Sequence, residues 1–179
     1  TNPEFLRETM AVHDTLYPHV IVLGGDNNSF LKKVKRFYYN LHRNVPIVLT
    51  NYGTAEIIKY ANNSFLATKI SFINQIATIC EAIPEVNVDA VAKTIGLDPR
   101  IGNLFLTAGP GYGGSCLPKD VKAFSATAKK HLVDFSIINA VNVSNEARPI
   151  KIASKIKNRF NNKLEGIVIG ILGLSFKPN

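Results

Sequence analysis

The 179-residue sequence contains only two cysteines, Cys80 and Cys116, one methionine and no tryptophan. Two cysteines in different surroundings cannot form the disulfide framework of a small secreted domain, so we expect two separate roles for them. The sequence has no run of about 18 or more uncharged apolar residues, and no charged-then-apolar signal segment opens it. With 46% hydrophobic residues it is not globally disordered. These features predict a cytoplasmic protein without a membrane partner.

Acidic residues are under-represented. There are 13 of them against 21 lysines and arginines, which gives a formal net charge of +8. Such an excess favours a polyanionic partner, either a nucleic acid or a phosphate-bearing small molecule, and charge alone does not choose between them. The basic residues are scattered apart from short clusters at 32–36 and 151–159, which are typical of solvent-exposed helix faces.

The first part of the chain predicts a βαβ unit, with strands at 19–24 and 46–50 and a helix at 29–41 opened by Ser29. Apolar residues from 54 to 83 then recur at helical spacing. A helix of this length would run about 45 Å, and its two apolar stripes predict burial on more than one side, as in a spine or a subunit interface. One stripe comprises Ile58, Ala61, Phe65, Phe72, Ile76, Ile79 and Ile83, and the other Leu66, Ile70, Ile73, Ala77 and Cys80.

Shorter helices are predicted beyond Pro84. One spans 86–95 and ends at Gly96, one opens at Pro118 and runs to about 130, and one covers 135–160, where Pro149 should kink or split it. The apolar segment from 166 to 179 predicts a buried strand with no visible partner. Because both ends fall inside α/β units and no initiator methionine is present, we expect a fragment of a longer protein.

The glycine-rich segment Gly109–Gly114 carries the clearest chemical signal. Its glycines allow the main chain to approach a ligand, and Cys116 follows just before a helix N-terminus. That helix end and Lys119 both favour the nucleophilic thiolate, and Asp120 could exchange protons beside it. The alternative is a small turn with a buried cysteine. Cys80, among apolar neighbours, is predicted to be a core residue.

The same segment also matches a dinucleotide fingerprint, since Gly109, Gly111 and Gly114 fit G-x-G-x-x-G and Asp134 follows about twenty residues later. We interpret the match as false, because that fingerprint needs a preceding strand and a helix that starts inside it, and Pro110 occupies the turn. No phosphate-loop motif or metal-ligand spacing is present. The four histidines are too scattered to predict a metal site.

Polar residues near the start of the long helix lie on one face, because Glu56, Lys59 and Asn63 are spaced i, i+3 and i+7. This face could be the wall of an active site, and the alternative is an ordinary exposed Glu56–Lys59 pair. The segment from Asn2 to Glu8 presents two acids four residues apart, which becomes informative only in combination with other motifs.

Five segments in order carry a resemblance that covers essentially the whole chain. They are Asn2-Pro-Glu-Phe-Leu-Arg-Glu8, Ala55-Glu-Ile-Ile-Lys-Tyr-Ala-Asn-Asn63, Asp98-Pro-Arg-Ile-Gly102, Gly113-Gly-Ser-Cys-Leu-Pro-Lys-Asp120 and Gly173-Leu-Ser-Phe-Lys177. Together they closely resemble the UDP-glucose/GDP-mannose 6-dehydrogenase family. The resemblance implies an α/β fold with a predominantly helical central domain. Residues 1–53 would end an NAD-binding Rossmann-like domain, 54–160 would form a helical dimerisation domain, and 161–179 would begin a nucleotide-sugar domain.

The resemblance also implies an NAD-dependent, four-electron oxidation of a sugar C6 alcohol, here of UDP-glucose to UDP-glucuronate. Cys116 would form a thiohemiacetal and then a thioester, Lys59, Asn63 and Asp120 would assist proton removal and stabilise the oxyanion, and Glu4 would position water. Glu8 and Lys119 would contact NAD, and Arg100 would reach into the partner subunit's site of a homodimer. The resemblance implies the following substrate contacts: Phe5, Leu6, Arg7, Glu8, Arg100, Phe105, Thr107, Gly111, Tyr112, Gly113, Phe176 and Lys177.

The sequence departs from the family pattern at Thr9 and Pro84, where glycines are usual, and the family's amino-terminal fingerprint is missing. We therefore expect that this chain alone does not turn over substrate. Ser115 before the cysteine is similar to the UDP-glucose and GDP-mannose branches, so GDP-mannose is the alternative substrate. Two further alternatives are a module that only dimerises and a nucleic-acid-binding protein, of which the second would require salt-sensitive affinity for a duplex.

Overall fold

The computed structural model describes residues 1–173, and two strands and six α-helices make up its regular structure. Its helix-dominated architecture confirms the predicted fold class. The chain forms two compact units, residues 1–62 and residues 63 onward, and the long helix α3 runs through the boundary. In order, the elements are a 3₁₀ turn (Glu8–Met10), α1 (Ala11–Leu16), β1 (Ile21–Gly24), α2 (Asn28–Leu41), β2 (Ile47–Thr50), α3 (Tyr52–Ala82), α4 (Val88–Gly96), α5 (Leu117–Lys130) and α6 (Ser136–Arg159).

The first unit is the predicted βαβ arrangement. Strands β1 and β2 are parallel, with Ile21 opposite Ile47, and α2 connects them. Leu31 of α2 packs with the apolar side chains of both strands in a small core. The helix begins at Asn28, one residue before the predicted start at Ser29. Asn27 is the N-cap, and its side chain accepts a 2.9 Å hydrogen bond from the Phe30 N–H. Asparagine is among the best residues for this position.

A side chain from outside the strands fastens the first residues of the chain to this sheet. Asn2 donates from Nδ2 to the carbonyl of Val22 at 2.8 Å and accepts from the hydroxyl of Tyr38 at 2.6 Å. The segment that begins here continues to Glu4 and Phe5, so Asn2 helps to set where those side chains emerge.

The predicted long helix is confirmed by α3, whose 31 residues extend roughly 46 Å at 1.5 Å per residue. Its two apolar stripes differ in burial. The stripe with Ile73, Ala77 and Cys80 is buried, which confirms Cys80 as a core residue. On the other stripe Phe65 and Phe72 remain more than half exposed, so the described residues do not bury a second side of this helix.

The second unit packs α3, α5 and α6 around one apolar cluster, formed by Ala67, Tyr112, Val121, Ile138 and Val141. Helix α5 begins at Leu117, one residue before the predicted start, and its first turn contains the expected proline. Helix α4 ends at Gly96 as predicted and is capped by the Asn87 side chain, which accepts hydrogen bonds from two main-chain N–H groups.

Helix α6 contains Pro149 without being split there. Proline removes one main-chain donor, so a single hydrogen bond is lost, whereas burial of Val141 and Arg148 anchors the helix before the proline. The helix is therefore not split at Pro149. The other predicted effect of this proline, a kink, stays a prediction.

The strand expected from residue 166 onward is not formed over residues 167–173, where Val168 and Leu172 are exposed. A strand needs a neighbour to satisfy its main-chain groups, and within the described residues none lies beside this segment. The predicted substrate residues Phe176 and Lys177 lie outside the described residues. None of the helices in residues 1–173 is both long and apolar enough to cross a bilayer.

Candidate active site

In the first unit, α3 brings Lys59 to the segment that precedes the 3₁₀ turn. The Lys59 ammonium lies 2.9 Å from Oε1 of Glu4 and 2.5 Å from the Glu4 carbonyl oxygen. It also lies 5.5 Å from the centre of the Phe5 ring, within range of a cation–π interaction. Lys59 therefore pairs with Glu4, and the alternative Glu56–Lys59 pair is not among the ion pairs of the described residues.

Arg7, a predicted substrate residue, is engaged within the same unit. Its guanidinium contacts both oxygens of Asp14, with Nε 2.9 Å from Oδ2 and Nη2 2.5 Å from Oδ1, and the Arg7 N–H adds a third bond at 2.9 Å. Hydrogen bonds from Arg7 hold the pKa of Asp14 well below its usual range, and the same pair raises the pKa of Arg7. Leu6 and Glu8 flank Arg7, and the Glu8 side chain is exposed.

In the second unit, Cys116 is the residue immediately before α5, and its side chain is exposed. The thiol lies 3.5 Å from the hydroxyl of Ser115, and the Cys116 carbonyl accepts the first intrahelical bond from the Asp120 N–H at 2.9 Å. The partial positive charge of a helix N-terminus favours an anion here. An exposed thiol at this position excludes the alternative of a buried structural cysteine.

Asp120 is one turn into α5 and is buried with Asn63 of α3. Nδ2 of Asn63 donates a 2.6 Å hydrogen bond to Oδ2 of Asp120, and the Lys119 ammonium lies 2.8 Å from Oδ1. Burial of a carboxylate is costly unless donors satisfy it, and both oxygens have one. The structure thus brings four predicted residues together in this unit: Asn63, Cys116, Lys119 and Asp120.

The segment before Cys116 forms one wall of a cleft of about 400 Å³. Predicted substrate residues Phe105, Thr107 and Gly111 are on this wall, whereas Tyr112 is buried in the apolar cluster and Gly113 is half-buried. Burial and the nearby Glu146 carboxylate raise the pKa of Tyr112 to about 12. Further cleft residues are Ile70, Leu104, Ala108, Gly109 and Pro110.

Sequence reasoning missed three polar side chains that bind this segment. Asn74 accepts from the Gly109 N–H at 2.8 Å, Arg148 donates from Nε to the Gly109 carbonyl at 2.7 Å, and Asn145 bonds both main-chain groups of Tyr112. For Asn145 and Arg148 the sequence did contain a signal, because positions 145 and 148 continue the helical spacing of the buried residues 138 and 141. A polar residue at a core-facing helix position predicts a buried hydrogen-bonding role.

Arg100 stands at the end of the α4 region with its side chain mostly exposed. Its guanidinium contacts both oxygens of Asp98, at 3.0 and 3.1 Å from Nε, which lowers the pKa of Asp98. Lys69 of α3 donates to the carbonyls of Ile101 and Gly102 at 3.0 and 3.2 Å. The turn that carries Arg100 is thus fastened to α3.

The glycine pattern at 109–114 is confirmed not to be a dinucleotide fingerprint. No strand precedes it over residues 97–108, and α5 begins only at Leu117. The residues that the resemblance assigns to NAD, Glu8 and Lys119, both reach solvent and are able to contact a ligand. They fit as individual polar contacts, and the described residues do not supply a pyrophosphate cradle of their own.

Comparison with known proteins identifies relatives for this arrangement. The model of the UDP-glucose/GDP-mannose dehydrogenase family, central domain, matches residues 53–147. UDP-glucose 6-dehydrogenase of Rickettsia conorii is 48% identical over 177 residues, which are 99% of this chain and 40% of that protein. UDP-glucose 6-dehydrogenase TuaD of Bacillus subtilis is 45% identical over 179 residues, covering 100% and 38%. The chain therefore spans about two fifths of the length of these relatives.

Solved structures agree with this result. A UDP-glucose dehydrogenase from the archaeon Pyrobaculum islandicum superposes with a TM-score of 0.81 at 34% identity, over 89% of this chain and 36% of that chain. A UDP-D-ManNAc dehydrogenase from Pyrococcus horikoshii gives 0.77 at 27% identity, over 90% and 38%. The described residues therefore share the fold of the matched part of these proteins.

Proposed function

Because the chain belongs to the UDP-glucose/GDP-mannose dehydrogenase family, we propose that the full-length protein oxidises UDP-glucose to UDP-glucuronate with two equivalents of NAD⁺. The observation that carries the proposal is the arrangement at the start of α5. An exposed Cys116 stands one turn before a buried Asp120, whose oxygens are bound by Asn63 and Lys119. The curated relatives named as UDP-glucose 6-dehydrogenases support the choice of substrate.

The first oxidation converts the C6 alcohol to an aldehyde. The hydroxyl proton leaves as the C6–H bond breaks with its electron pair, and NAD⁺, when bound, accepts that pair as hydride. Lys59 and Asp120 assist removal of the proton, since a positioned side chain can take part in proton transfer in the transition state. Asn63 and Lys59 supply N–H donors for the oxyanion that develops on the sugar oxygen.

The second oxidation needs a nucleophile, because an aldehyde has no hydroxyl from which the same reaction could proceed. The Cys116 sulfur adds to C6 as the thiol proton passes to the aldehyde oxygen, which gives a thiohemiacetal. Loss of the hydroxyl proton and of the hydride on C6, for which the second equivalent of NAD⁺ would be the acceptor, converts this to a thioester. Water then displaces the thiol and leaves the carboxylate. Glu4, held by Lys59 through its Oε1, positions that water.

Two parts of the chain bind substrate and cofactor in this proposal. Residues 5–8 and the segment 105–113 contact the nucleotide sugar, and Glu8 and Lys119 contact NAD⁺. The domain assignment is part of the same proposal, with residues 1–53 in the NAD-binding domain, 54–160 in the helical domain and 161–179 at the start of the nucleotide-sugar domain.

The helical domain also forms a homodimer in this proposal. The exposed stripe of α3 supports it, because Phe65, Phe72 and Ile79 are each more than half exposed at helical spacing on one side. Exposed aromatic and aliphatic side chains in a row are typical of a protein interface. Arg100, fastened by Asp98 and exposed, would then reach the partner subunit's site.

Steady-state assays of the full-length protein test the substrate. UDP-glucose and GDP-mannose are supplied separately, and NADH formed per sugar consumed is measured by its absorbance. Two NADH per UDP-glucose, with little from GDP-mannose, is the expected result. Two NADH per GDP-mannose would instead identify the alternative substrate, and no NADH from either sugar would contradict the proposal.

A further inference from the structure

Side chains, rather than main-chain partners, hold the segment that leads to Cys116. Both main-chain polar groups of Gly109 and both of Tyr112 are hydrogen-bonded by side chains of α3 and α6. Within the described residues, the main chain of 103–115 forms no hydrogen bond to another main-chain group. Three side chains, of Asn74, Asn145 and Arg148, therefore determine the path of this segment.

We call these three side chains the loop clamp. Arg148 is buried, and besides the Gly109 carbonyl its guanidinium reaches the Asn74 carbonyl at 3.3 Å and the Thr78 hydroxyl at 3.4 Å. Burial of a guanidinium is costly unless several acceptors satisfy it. A buried arginine that is bonded through both Nε and Nη1 has few alternative positions.

The clamp binds the segment at Gly109 and Tyr112, on either side of the conformationally constrained Gly111. Gly111 has a φ of +113°, and a Cβ there would lie 2.6 Å from Oδ1 of Asn145. Pro110 and Gly111 stand between the two gripped residues and line the cleft. A glycine-containing segment has many accessible conformations when no other part of the protein is hydrogen-bonded to it. The hydrogen bonds of the clamp restrict this segment to one of them.

We propose that Asn74, Asn145 and Arg148 are positioning residues for nucleotide-sugar binding: they fix the 109–112 backbone that forms the cleft wall before Cys116. This inference rests on the proposed function, because it assigns the cleft wall to the nucleotide sugar. A ligand bound against a wall fixed in advance does not have to order that wall, so the clamp raises affinity for the sugar without contacting it.

Two variants each remove part of the clamp and leave the buried Arg148 side chain in place. Asn74→Ala deletes the acceptor for Gly109, and Asn145→Ala deletes both bonds to Tyr112. We expect KM for the nucleotide sugar to rise about tenfold or more, because small displacements of positioning groups have large kinetic effects. KM for NAD⁺ should stay within about twofold. Hydrogen exchange at the Gly109 and Tyr112 amides, measured without ligand, should become faster in the variant that frees each.

Matched controls separate positioning from general packing. Ser144→Ala removes a 3.2 Å hydrogen bond between Gln75 of α3 and Ser144 of α6, the same two helices, and does not touch the loop. It should behave as the wild type. Asn74→Asp keeps the acceptor for the Gly109 N–H and places a carboxylate near Arg148, so it should restore most of the affinity that Asn74→Ala loses.

Each other outcome has a definite meaning. If the wild type turns over sugar but the clamp variants change only exchange or only thermal stability, with sugar KM unchanged, the positioning role is wrong. Equal losses in Ser144→Ala and the clamp variants would also overturn it, in favour of helix packing. If the wild-type full-length protein turns over no nucleotide sugar, the proposed function fails, and the clamp's role toward that ligand fails with it.

Discussion

Asn63 and Asp120 are 57 residues apart in sequence, and their side chains share a buried 2.6 Å hydrogen bond from Nδ2 to Oδ2. With Lys119 2.8 Å from the other oxygen, the Asp120 carboxylate has a donor on each side. Asn63 lies on α3, whereas Asp120 and Lys119 lie in the first turn of α5, which directly follows Cys116. The bond therefore holds the end of α5 that follows Cys116 against the long helix.

Removing the donor tests this relationship. Asn63→Ala leaves the buried Asp120 with an unsatisfied oxygen, so we expect the free energy of unfolding to fall by about 1–3 kcal/mol. Turnover should fall as well, roughly a hundredfold, if Asn63 also stabilises the oxyanion. Chemical denaturation and steady-state kinetics measure the two effects. Asn158→Ala, an exposed asparagine of α6, is the control and should change neither quantity.

The features that could be predicted from sequence depend on local patterns. The 3.6-residue periodicity that predicts α3, and the Cys-x-Pro order that predicts the start of α5, involve neighbours in the chain and were accurate to within about two residues. The position of Asn27 as N-cap was missed because Ser29 is an equally good capping residue by type. Where two neighbouring residues are equally good caps, tertiary packing determines which one is used, and sequence patterns do not contain that information.

The features that could not be predicted join distant segments. The loop clamp bonds the loop to residues 33 to 39 positions away, as in Asn145 with Tyr112 and Arg148 with Gly109. Lys59 forms its ion pair with Glu4, which is 55 residues away in sequence, and not with Glu56 on its own helix. Helical spacing placed Glu56 and Lys59 on one face, but the partner that each polar side chain meets depends on tertiary packing, which local spacing does not contain.

The two cysteines provide a prediction with an internal control. Cys116→Ser should reduce turnover roughly a thousandfold or more, because removal of a nucleophile eliminates the second oxidation. Its stability should remain close to that of the wild type, since the side chain is exposed. Cys80→Ser should do the opposite, with lower stability from a hydroxyl in the core and nearly normal turnover. Kinetics and thermal melts of both variants decide; full activity in Cys116→Ser would rule out covalent catalysis.

Two glycines in the same segment differ in what a side chain would meet. Gly111→Ala places a Cβ 2.6 Å from Asn145 Oδ1 at a φ of +113°, so we expect a loss of about 1–3 kcal/mol and a higher KM for the sugar. Gly109→Ala meets nothing within 4 Å and should be close to neutral. Denaturation of the two variants side by side gives the comparison. Equal stability would show that Asn145 can move away from the segment.

The Arg7–Asp14 pair predicts that the stability of the folded protein decreases at acidic pH. Because Arg7 lowers the folded-state pKa of Asp14, the pair stabilises the protein above the unfolded pKa of about 4, and this contribution is lost as the pH falls below it. Asp14→Asn should therefore be less stable than the wild type near neutral pH, with the difference shrinking in acid. Thermal melts across this range test it. Asp26→Asn, at an exposed carboxyl of the same unit, is the control for a general effect of removing one acidic side chain.

Tyr112 predicts that the stability of the folded protein also falls at alkaline pH. Its folded-state pKa of about 12 lies above the ordinary value of 10.0, because burial and Glu146 disfavour the phenolate. Between these values the folded protein holds a proton that the unfolded chain has released, so stability falls as the pH rises from 10 to 12. Tyr112→Phe keeps the ring in the apolar cluster and removes the ionisation. Its free energy of unfolding should decline less over this interval, and the wild-type minus variant phenolate absorbance should titrate near pH 12. A difference spectrum that titrates near pH 10 would show that Tyr112 is not buried in solution.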